Sequence, residues 1–447
     1  MDERRFLIIL VAASFAIKIP LALMTNSFGI DESLYLSTAR QYAETGVFGL
    51  QDGPYDFRFI APVFAFLASF FYMAGGEGGV LLISPIFTTL TIVVFYFLGR
   101  QVGGEKVGRL AGLMGLFSSI LILMSSRPLT EGVALFFFSA SLLAISSVSR
   151  NVKSGMWPVA LPVMMTLTFL SRFQYGFLIV VFFIAYALFS KTYKNFLTPK
   201  FLLGCALAAL VASPWILMNI SNYGSPLGGA ERQAGTDAGF EISSAVFYVP
   251  YFFLIAGLYA PFVFYGLYRA VKTKEYFLVL SFVVVFAAQF LVFGKIVEER
   301  YILPMLPTTL ILASIGFFGI NKSQRKAAAA IMIVLMAGSM AIGYGAAGIY
   351  QNSDRYGGSK EAAVFVKDNC SSPIMSNSFV HVWYYTGYRN IPLGDGLYES
   401  LEVAGRNVVV CILFSTYEAP REDFFYGTPY VNLVHDADGV RVYKLVA

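Results

Sequence analysis

Asp31 and Glu32 stand side by side just beyond the first apolar run, with Tyr35 one helical turn further on. Carboxylates beside hydrocarbon are costly unless water, a cation or a substrate satisfies them, so an acidic pair at the end of a membrane-length segment calls for a partner. Partial desolvation there raises a carboxylate's affinity for protons and suits it to take one from a hydroxyl. The plain alternative is a carboxylate capping the first turn of a helix over residues 33–43. Arg127 lies in a short loop and Glu131 opens the next apolar run, at the i, i+4 spacing that allows a local ion pair. Further on, Lys295-Ile-Val-Glu-Glu-Arg-Tyr-Ile-Leu-Pro gathers Lys295, Glu298, Glu299 and Arg300 beside Tyr301, between two apolar runs. With Arg58 and Arg172 these cations are candidates for holding a lipid phosphate, because a guanidinium fork matches two phosphate oxygens. Pairing with neighbouring acids, or extension toward headgroups, is the simpler use of the same residues.

The elements that must position these groups are set by composition. A chain that is 57% hydrophobic and 13% charged, with a mean hydropathy of +0.67, is far from a soluble domain. Apolar runs near residues 6–24, 79–99, 108–124, 132–149, 156–171, 174–190, 201–220, 246–268, 276–293, 301–320 and 327–349 predict helices. Together they give about eleven crossings of a hydrocarbon core roughly 30 Å thick. The first run follows Arg4 and Arg5, lacks a small-residue cleavage site and reads as a retained anchor. Phe59 to Ala74 is short, aromatic and ended by Gly75-Gly76-Glu77-Gly78-Gly79, which suits a helix lying in the interface.

Charge then sets the orientation, since short cytoplasmic loops collect Lys and Arg. One side gathers Arg100, Lys106 and Arg109; Arg150 and Lys153; Lys191, Lys194 and Lys200; Arg269, Lys272 and Lys274; and Lys322, Arg325 and Lys326. The other holds most loop acids: Asp31, Glu32, Asp52, Asp56, Glu131, Asp237, Glu298 and Glu299. The expectation is a multi-pass protein of the cell membrane with a cytoplasmic N-terminus and an extracytoplasmic C-terminal domain. The net charge of +5 is then a topology signal and implies no nucleic-acid partner. Lys18 is the one cation expected inside a span.

From Asp354 onward charges return and no run could cross a bilayer. Residues 1–350 are expected to form the membrane domain, with a long first outer loop over 25–79, and residues 351–447 a small α/β domain. In it Lys360 to Asp368 reads as helix, Pro373 to Ser378 and Asn407 to Phe414 as strands, and Tyr430 to Leu445 as a hairpin turning at Asp438-Gly439. Cys370 and Cys411 can pair there, although Cys411 within Val-Val-Val-Cys-Ile-Leu reads as a buried free thiol. Cys205 falls within a span. His381 and His435, the only histidines, are far apart in sequence and have no ligand role assigned. Trp383-Tyr384-Tyr385 reads as core or interface filling, with stacking on sugar faces as the other use. No repeat of fixed period is present.

The ordered set of these residues resembles the glycosyltransferases of the C superfamily (the GT-C fold), near the protein O-mannosyltransferase and lipid A aminoarabinose transferase branch. It comprises Asp31-Glu32 and Tyr35, Arg58 ahead of Pro62, Pro128 and Glu131, Ser171-Arg172, and Arg300-Tyr301 followed by Pro304 and Pro307. It spans nearly the whole chain. The resemblance implies an α-helical polytopic enzyme with a small C-terminal α/β extracytoplasmic domain. It implies transfer of a sugar from a polyprenyl-phosphate donor to an acceptor hydroxyl on a protein, lipid or glycan at the outer face, with inversion in one displacement. Asp31 would be the general base. Glu131 and Glu32 would orient acceptor or base; Arg58, Arg172, Lys295 and Arg300 would bind donor phosphate; Tyr35, Arg127 and Tyr301 would make other substrate contacts.

Two departures bound the expectation. No Trp-Trp-Asp-Tyr-Gly motif is present, which argues against transfer of a whole glycan to asparagine. The first-loop acids lack an Asp-x-Asp spacing, so no metal site is assigned, although carboxylates beside phosphate can recruit a divalent ion. The alternatives from other classes are a lipid-linked sugar flippase or transporter, and an assembly subunit without catalysis. Transporters concentrate their polar groups at the bilayer midplane, whereas here the outer loops carry most of them.

Overall fold

The computed structural model describes residues 2–49, 51–52, 55–56, 60–150, 155–237, 259–293, 299–351, 354–418 and 422–446. The chain forms two compact units: residues 1–22, 59–64 and 81–347, and residues 23–58, 65–80 and 348–447.

The first unit is a helical bundle. Across the described residues, seven segments are long and apolar enough to cross a membrane: Glu3–Leu23, Pro62–Leu81, Ile83–Gly103, Thr130–Ser149, Pro199–Tyr223, Arg300–Gly319 and Arg325–Gln351. An eighth results if Glu105–Leu116 and Ser119–Ser125, bent by 53°, are counted as one span. Trp157–Ser171, Phe173–Phe189 and Tyr276–Val292 are shorter apolar helices. The protein is thus a multi-pass membrane protein. Most of the run expected over 246–268 lies outside the described residues, which resume ahead of the helix Ala260–Lys272. In Pro62–Leu81, where an interfacial helix is expected, Gly75 and Gly76 leave helical geometry. Pro62–Leu81 is long enough to cross only with both parts counted together; the unbroken part before the glycines is about 20 Å long at 1.5 Å per residue, short of a hydrocarbon core of about 30 Å.

The Thr130–Ser149 helix is buried almost throughout, and two of its serines return their hydroxyls to the preceding turn: Ser141 donates to the Phe137 carbonyl at 2.8 Å and Ser147 to that of Leu143 at 2.7 Å. That pattern lets these two small polar side chains sit inside an apolar bundle with their donors met. Pro199–Tyr223 behaves oppositely, exposing Leu202, Leu203, Leu210 and Leu217 as an apolar face suited to lipid. Gly266 on Ala260–Lys272 and Gly316 on Leu306–Gly319 bring their two backbones together. A Cβ at Gly266 would overlap the Leu312 carbonyl, and one at Gly316 that of Phe262. Such small-residue contacts stand in for a hydrophobic driving force that lipid does not supply. Here they anchor the helix that continues directly from the 3₁₀ turn Glu299–Met305, which carries Arg300 and Tyr301.

The second unit contains a five-stranded mixed sheet in the order β4-β3-β5-β7-β6, with β3 Ile374–Ser376, β4 Asn390–Ile391, β5 Cys411–Ser415, β6 Val431–Ala437 and β7 Val440–Leu445. β3 pairs in parallel with β4 and β5, and β7 runs antiparallel to β5 and β6. A separate hairpin pairs β1 Gln51–Asp52 with β2 Tyr55–Asp56. Alternation along β5 divides the core. Cys411 and Leu413 pack with Ala362, Ala363 and Val366 of the helix Asp354–Asn369, while Ile412 and Phe414 pack with Ala404 of Leu397–Arg406. The expected hairpin turns at Asp438 and Gly439, both at positive φ, 46° and 80°, as a two-residue turn matched to strand twist requires.

One expectation is corrected. Cys411 is not a free thiol: it is disulfide-bonded to Cys370, with 6.1 Å between the Cα atoms. Burial in a valine-rich strand is equally compatible with a bridge when the partner ends the helix packed on that face, as Cys370 does immediately after Asp354–Asn369. Cys205 is free.

Candidate active site

In the first unit, the chain places a carboxylate at one helix start and a guanidinium at a break between two others. Leu129, extended, precedes the helix opened by Thr130 and Glu131. Arg172 is likewise extended, ending Trp157–Ser171 and starting Phe173–Phe189, so its side chain leaves at a corner. Arg172 Nη1 donates to Glu131 Oε1 at 2.5 Å and to Thr130 Oγ1 at 3.1 Å. Arg300 Nη1 approaches the same carboxylate oxygen at 3.4 Å. The Glu131 side chain is 0% exposed and that of Arg172 8%. A buried ion pair of this kind holds geometry because breaking it would strand a charge away from water.

Aromatic rings complete the cluster. The Arg172 guanidinium lies 4.9 Å from the Tyr301 ring centre and 5.8 Å from that of Tyr175, and Arg300 lies 6.0 Å from Tyr301. These are cation–π distances. The Tyr175 hydroxyl donates to the Arg300 carbonyl at 3.1 Å, fixing the turn. Arg127 adds positive charge toward Glu131, and its carbonyl accepts from Ser84 at 2.6 Å. The structure therefore brings together Glu131, Arg172, Arg300, Tyr301 and Arg127. The described ion pairs of Glu131 are long-range in sequence, to Arg172 and Arg300. Arg58, Lys295 and Glu298 lie outside the described residues.

In the second unit, Asp31 and Glu32 occupy the first turn of Ile30–Thr45, behind Gly29 at the N-cap. Gly29 has no side chain with which to cap that turn, and Gly46 closes the other end in the left-handed region at φ 72°. Asp31 thus sits inside the helix rather than at its cap, where the positive end of the helix dipole still favours a carboxylate. The two acids differ. Glu32 is 1% exposed and accepts from the Tyr350 hydroxyl at 2.6 Å, whereas Asp31 and Tyr35 are half-buried. Tyr350 in turn accepts from the Gly29 N–H at 3.4 Å. Arg40, on the same helix, donates to the Trp383 carbonyl at 3.3 Å and lies over the Tyr384 ring at 5.7 Å. Tyr384 is 2% exposed, and burial pushes its phenol above the ordinary range. Within the described residues, no three His, Cys, Asp or Glu side chains gather as a metal-binding group.

Residues 60–218 match the family model described as dolichyl-phosphate-mannose-protein mannosyltransferase. The fold matches the crystal structure of ArnT from Cupriavidus metallidurans bound to undecaprenyl phosphate with a TM-score of 0.78, covering 100% of this chain and 99% of that one at 14% identity. The chain has the fold of the C-superfamily glycosyltransferases. It also resembles the archaeal oligosaccharyltransferase AglB from Archaeoglobus fulgidus, in complex with an inhibitory peptide and a dolichol-phosphate. That match has a TM-score of 0.61 and 13% identity, over 92% of this chain and 69% of that one. No curated protein sequence matches the chain. With the family match, the expected enzyme class, a membrane glycosyltransferase, stands.

Three residues in contact with these groups are not among the expected site residues. Thr130, adjacent to Glu131, and Tyr175, three residues past Arg172 on the next helix, carried a spacing signal that could have found them. Tyr350 is 318 positions from Glu32, and nothing local in the sequence links them.

Proposed function

We propose that this protein transfers a sugar from a polyprenyl-phosphate carrier to an acceptor hydroxyl on the outer face of the membrane. The observation that carries the reading is the convergence of Arg172 and Arg300 on one buried carboxylate, Glu131. Two guanidiniums fixed in this way are preorganised to meet a phosphate group without reorganising. ArnT and AglB are described with undecaprenyl phosphate and dolichol-phosphate respectively, which favours a lipid-linked phosphate as the anion.

In the proposed step the acceptor oxygen attacks the anomeric carbon from the side opposite the phosphate, and the carbon–oxygen bond to phosphate breaks. The bonding pair leaves with the polyprenyl phosphate, and the hydroxyl proton passes to Asp31. Inversion follows from a single displacement. Asp31 is the base because Glu32 is buried against Tyr350 while Asp31 is half-exposed on the same turn. Arg172 and Arg300 offset charge on the leaving phosphate; Arg58 and Lys295 are assigned to the same task by resemblance. Glu131 keeps the two guanidiniums in place, and Tyr35, Arg127 and Tyr301 line the substrates.

The Cys370–Cys411 bridge supports an outer-face domain, since disulfides persist in oxidising compartments. The test is reconstitution into liposomes with a panel of labelled polyprenyl-phosphate sugars. Release of carrier phosphate together with a glycosylated acceptor is expected. Redistribution of intact lipid-linked sugar across the bilayer without release would replace this reading with transport.

A further inference from the structure

The turn that carries Asp31 has no cap of its own, and what holds it comes from the far end of the chain. Over residues 26–29 the backbone is gripped at four points. Lys360 Nζ donates to the Asn26 carbonyl at 2.6 Å, the Phe28 N–H donates to the Tyr385 hydroxyl at 3.3 Å, His381 Nε2 meets the Phe28 carbonyl at 3.0 Å, and the Gly29 N–H reaches Tyr350 at 3.4 Å. All belong to the second unit.

His381 is the informative member. It is 2% exposed, on the helix Phe379–Thr386. Its Nε2 faces a carbonyl oxygen, which can only accept, so Nε2 carries a proton. Its Nδ1 faces Ser378 Oγ at 2.9 Å, and Ser378 gives its one proton to Glu418 Oε1 at 2.7 Å. The serine therefore presents a lone pair to the ring, and Nδ1 also carries a proton. Glu418 Oε1 lies 3.4 Å from Nδ1 and balances the charge.

We infer that His381 is a positioning residue: an imidazolium held by Ser378 and Glu418 that clamps the Phe28 carbonyl and so fixes the first turn bearing Asp31. The inference rests on Asp31 being the base.

The charged groups on the neighbouring elements have other partners. Glu32 meets Tyr350, Arg40 the Trp383 carbonyl, Glu44 the Tyr72 hydroxyl, Lys360 the Asn26 carbonyl, and Glu361 approaches His435 at 3.7 Å. Asp31, Lys367, Asp368 and Arg389 also belong to or adjoin these elements, Glu77 faces the Tyr384 and Tyr385 hydroxyls, and the Tyr385 ring lies parallel to His381 at 6.5 Å. Glu418 is thus the counterion that the geometry supplies.

The chain has two histidines, so a histidine-labelled sample of the full protein in nanodiscs gives two ring spectra, and His435→Gln assigns them. At a pH where transfer proceeds, the His381 ring should show both nitrogens protonated. A neutral ring with one bare nitrogen overturns the inference. His381→Gln and Glu418→Gln should each lower kcat by between about tenfold and a hundredfold, the range expected for a misplaced catalytic group. KM for the lipid donor should not change, and neither should the rate in His435→Gln. Unchanged kcat in folded Glu418→Gln protein also overturns it. Transfer that survives Asp31→Asn defeats the base assignment instead, and the ring spectrum is read independently of that arm.

Discussion

Glu131→Gln keeps the shape of the side chain and removes the charge that Arg172 and Arg300 share. Arg172, 8% exposed at its side chain and bonded to Glu131 at 2.5 Å, would then hold a guanidinium inside the bundle without its carboxylate. Breaking one half of a buried pair costs about 3–5 kcal/mol, chiefly through the stranded partner, and Arg172→Met should cost less than Glu131→Gln, because Arg300 still approaches the Glu131 carboxylate. The double variant removes both members of that pair and leaves only Arg300 without the carboxylate, so its cost should fall short of the sum of the singles, by a coupling of about 1–3 kcal/mol. The assay is unfolding of the three variants and the wild type in one detergent by graded denaturant, followed by tryptophan fluorescence. Costs that simply add would show that the pair is not a unit, and the case for preorganised guanidiniums would fail with it. Activity adds a second readout: Arg172→Met should lower kcat more than it raises KM for the lipid donor, because the guanidinium acts on charge that develops as the phosphate leaves.

Three further outcomes follow from the same geometry. Replacing both Cys370 and Cys411 by serine opens a loop with a sequence separation of 41 and should destabilise the C-terminal domain by about 4 kcal/mol on the chain-entropy relation, read as earlier proteolysis of that domain; equal resistance would show that the bridge adds nothing. Gly316→Val drives a branched side chain into the Phe262 carbonyl and should abolish assembly of a monodisperse protein, whereas Gly345→Val, where a Cβ meets nothing within 4 Å, should leave size-exclusion behaviour unchanged. Tyr350→Phe removes the hydrogen bond to buried Glu32 and should cost about 1.5–3 kcal/mol, as for bonds to charged groups, in the same unfolding assay; a cost near zero would mean that Glu32 is held by something else.

Much of the fold was legible in the sequence because apolar length and loop charge are direct consequences of lipid. Thr130–Ser149 and Arg325–Gln351 lie close to the runs read from hydropathy. The Asp438-Gly439 hairpin was legible for a different reason, as few residues adopt two successive positive φ angles. The short helices Phe379–Thr386 and Leu397–Arg406 were not foreseen, because helices of two to three turns take their stability from tertiary contacts rather than from propensity. Of the candidate site, the residue types were legible and the partnerships were not. Arg127 and Glu131 have helical spacing, yet the helix begins only at Thr130, and the carboxylate pairs with Arg172 and Arg300 from two other parts of the chain. The Cys411 reading failed similarly, since strand composition reports burial and says nothing of which helix end lies against the sulfur.

The most direct test of the account compares wild type and Asp31→Asn at matched protein levels, measuring both donor binding and single-turnover transfer from the polyprenyl-phosphate sugar that the wild type uses. The account predicts that the variant retains donor affinity and loses transfer by at least about a hundredfold, the lower end of the usual contribution of a general base. Transfer at the wild-type rate in Asp31→Asn would contradict it.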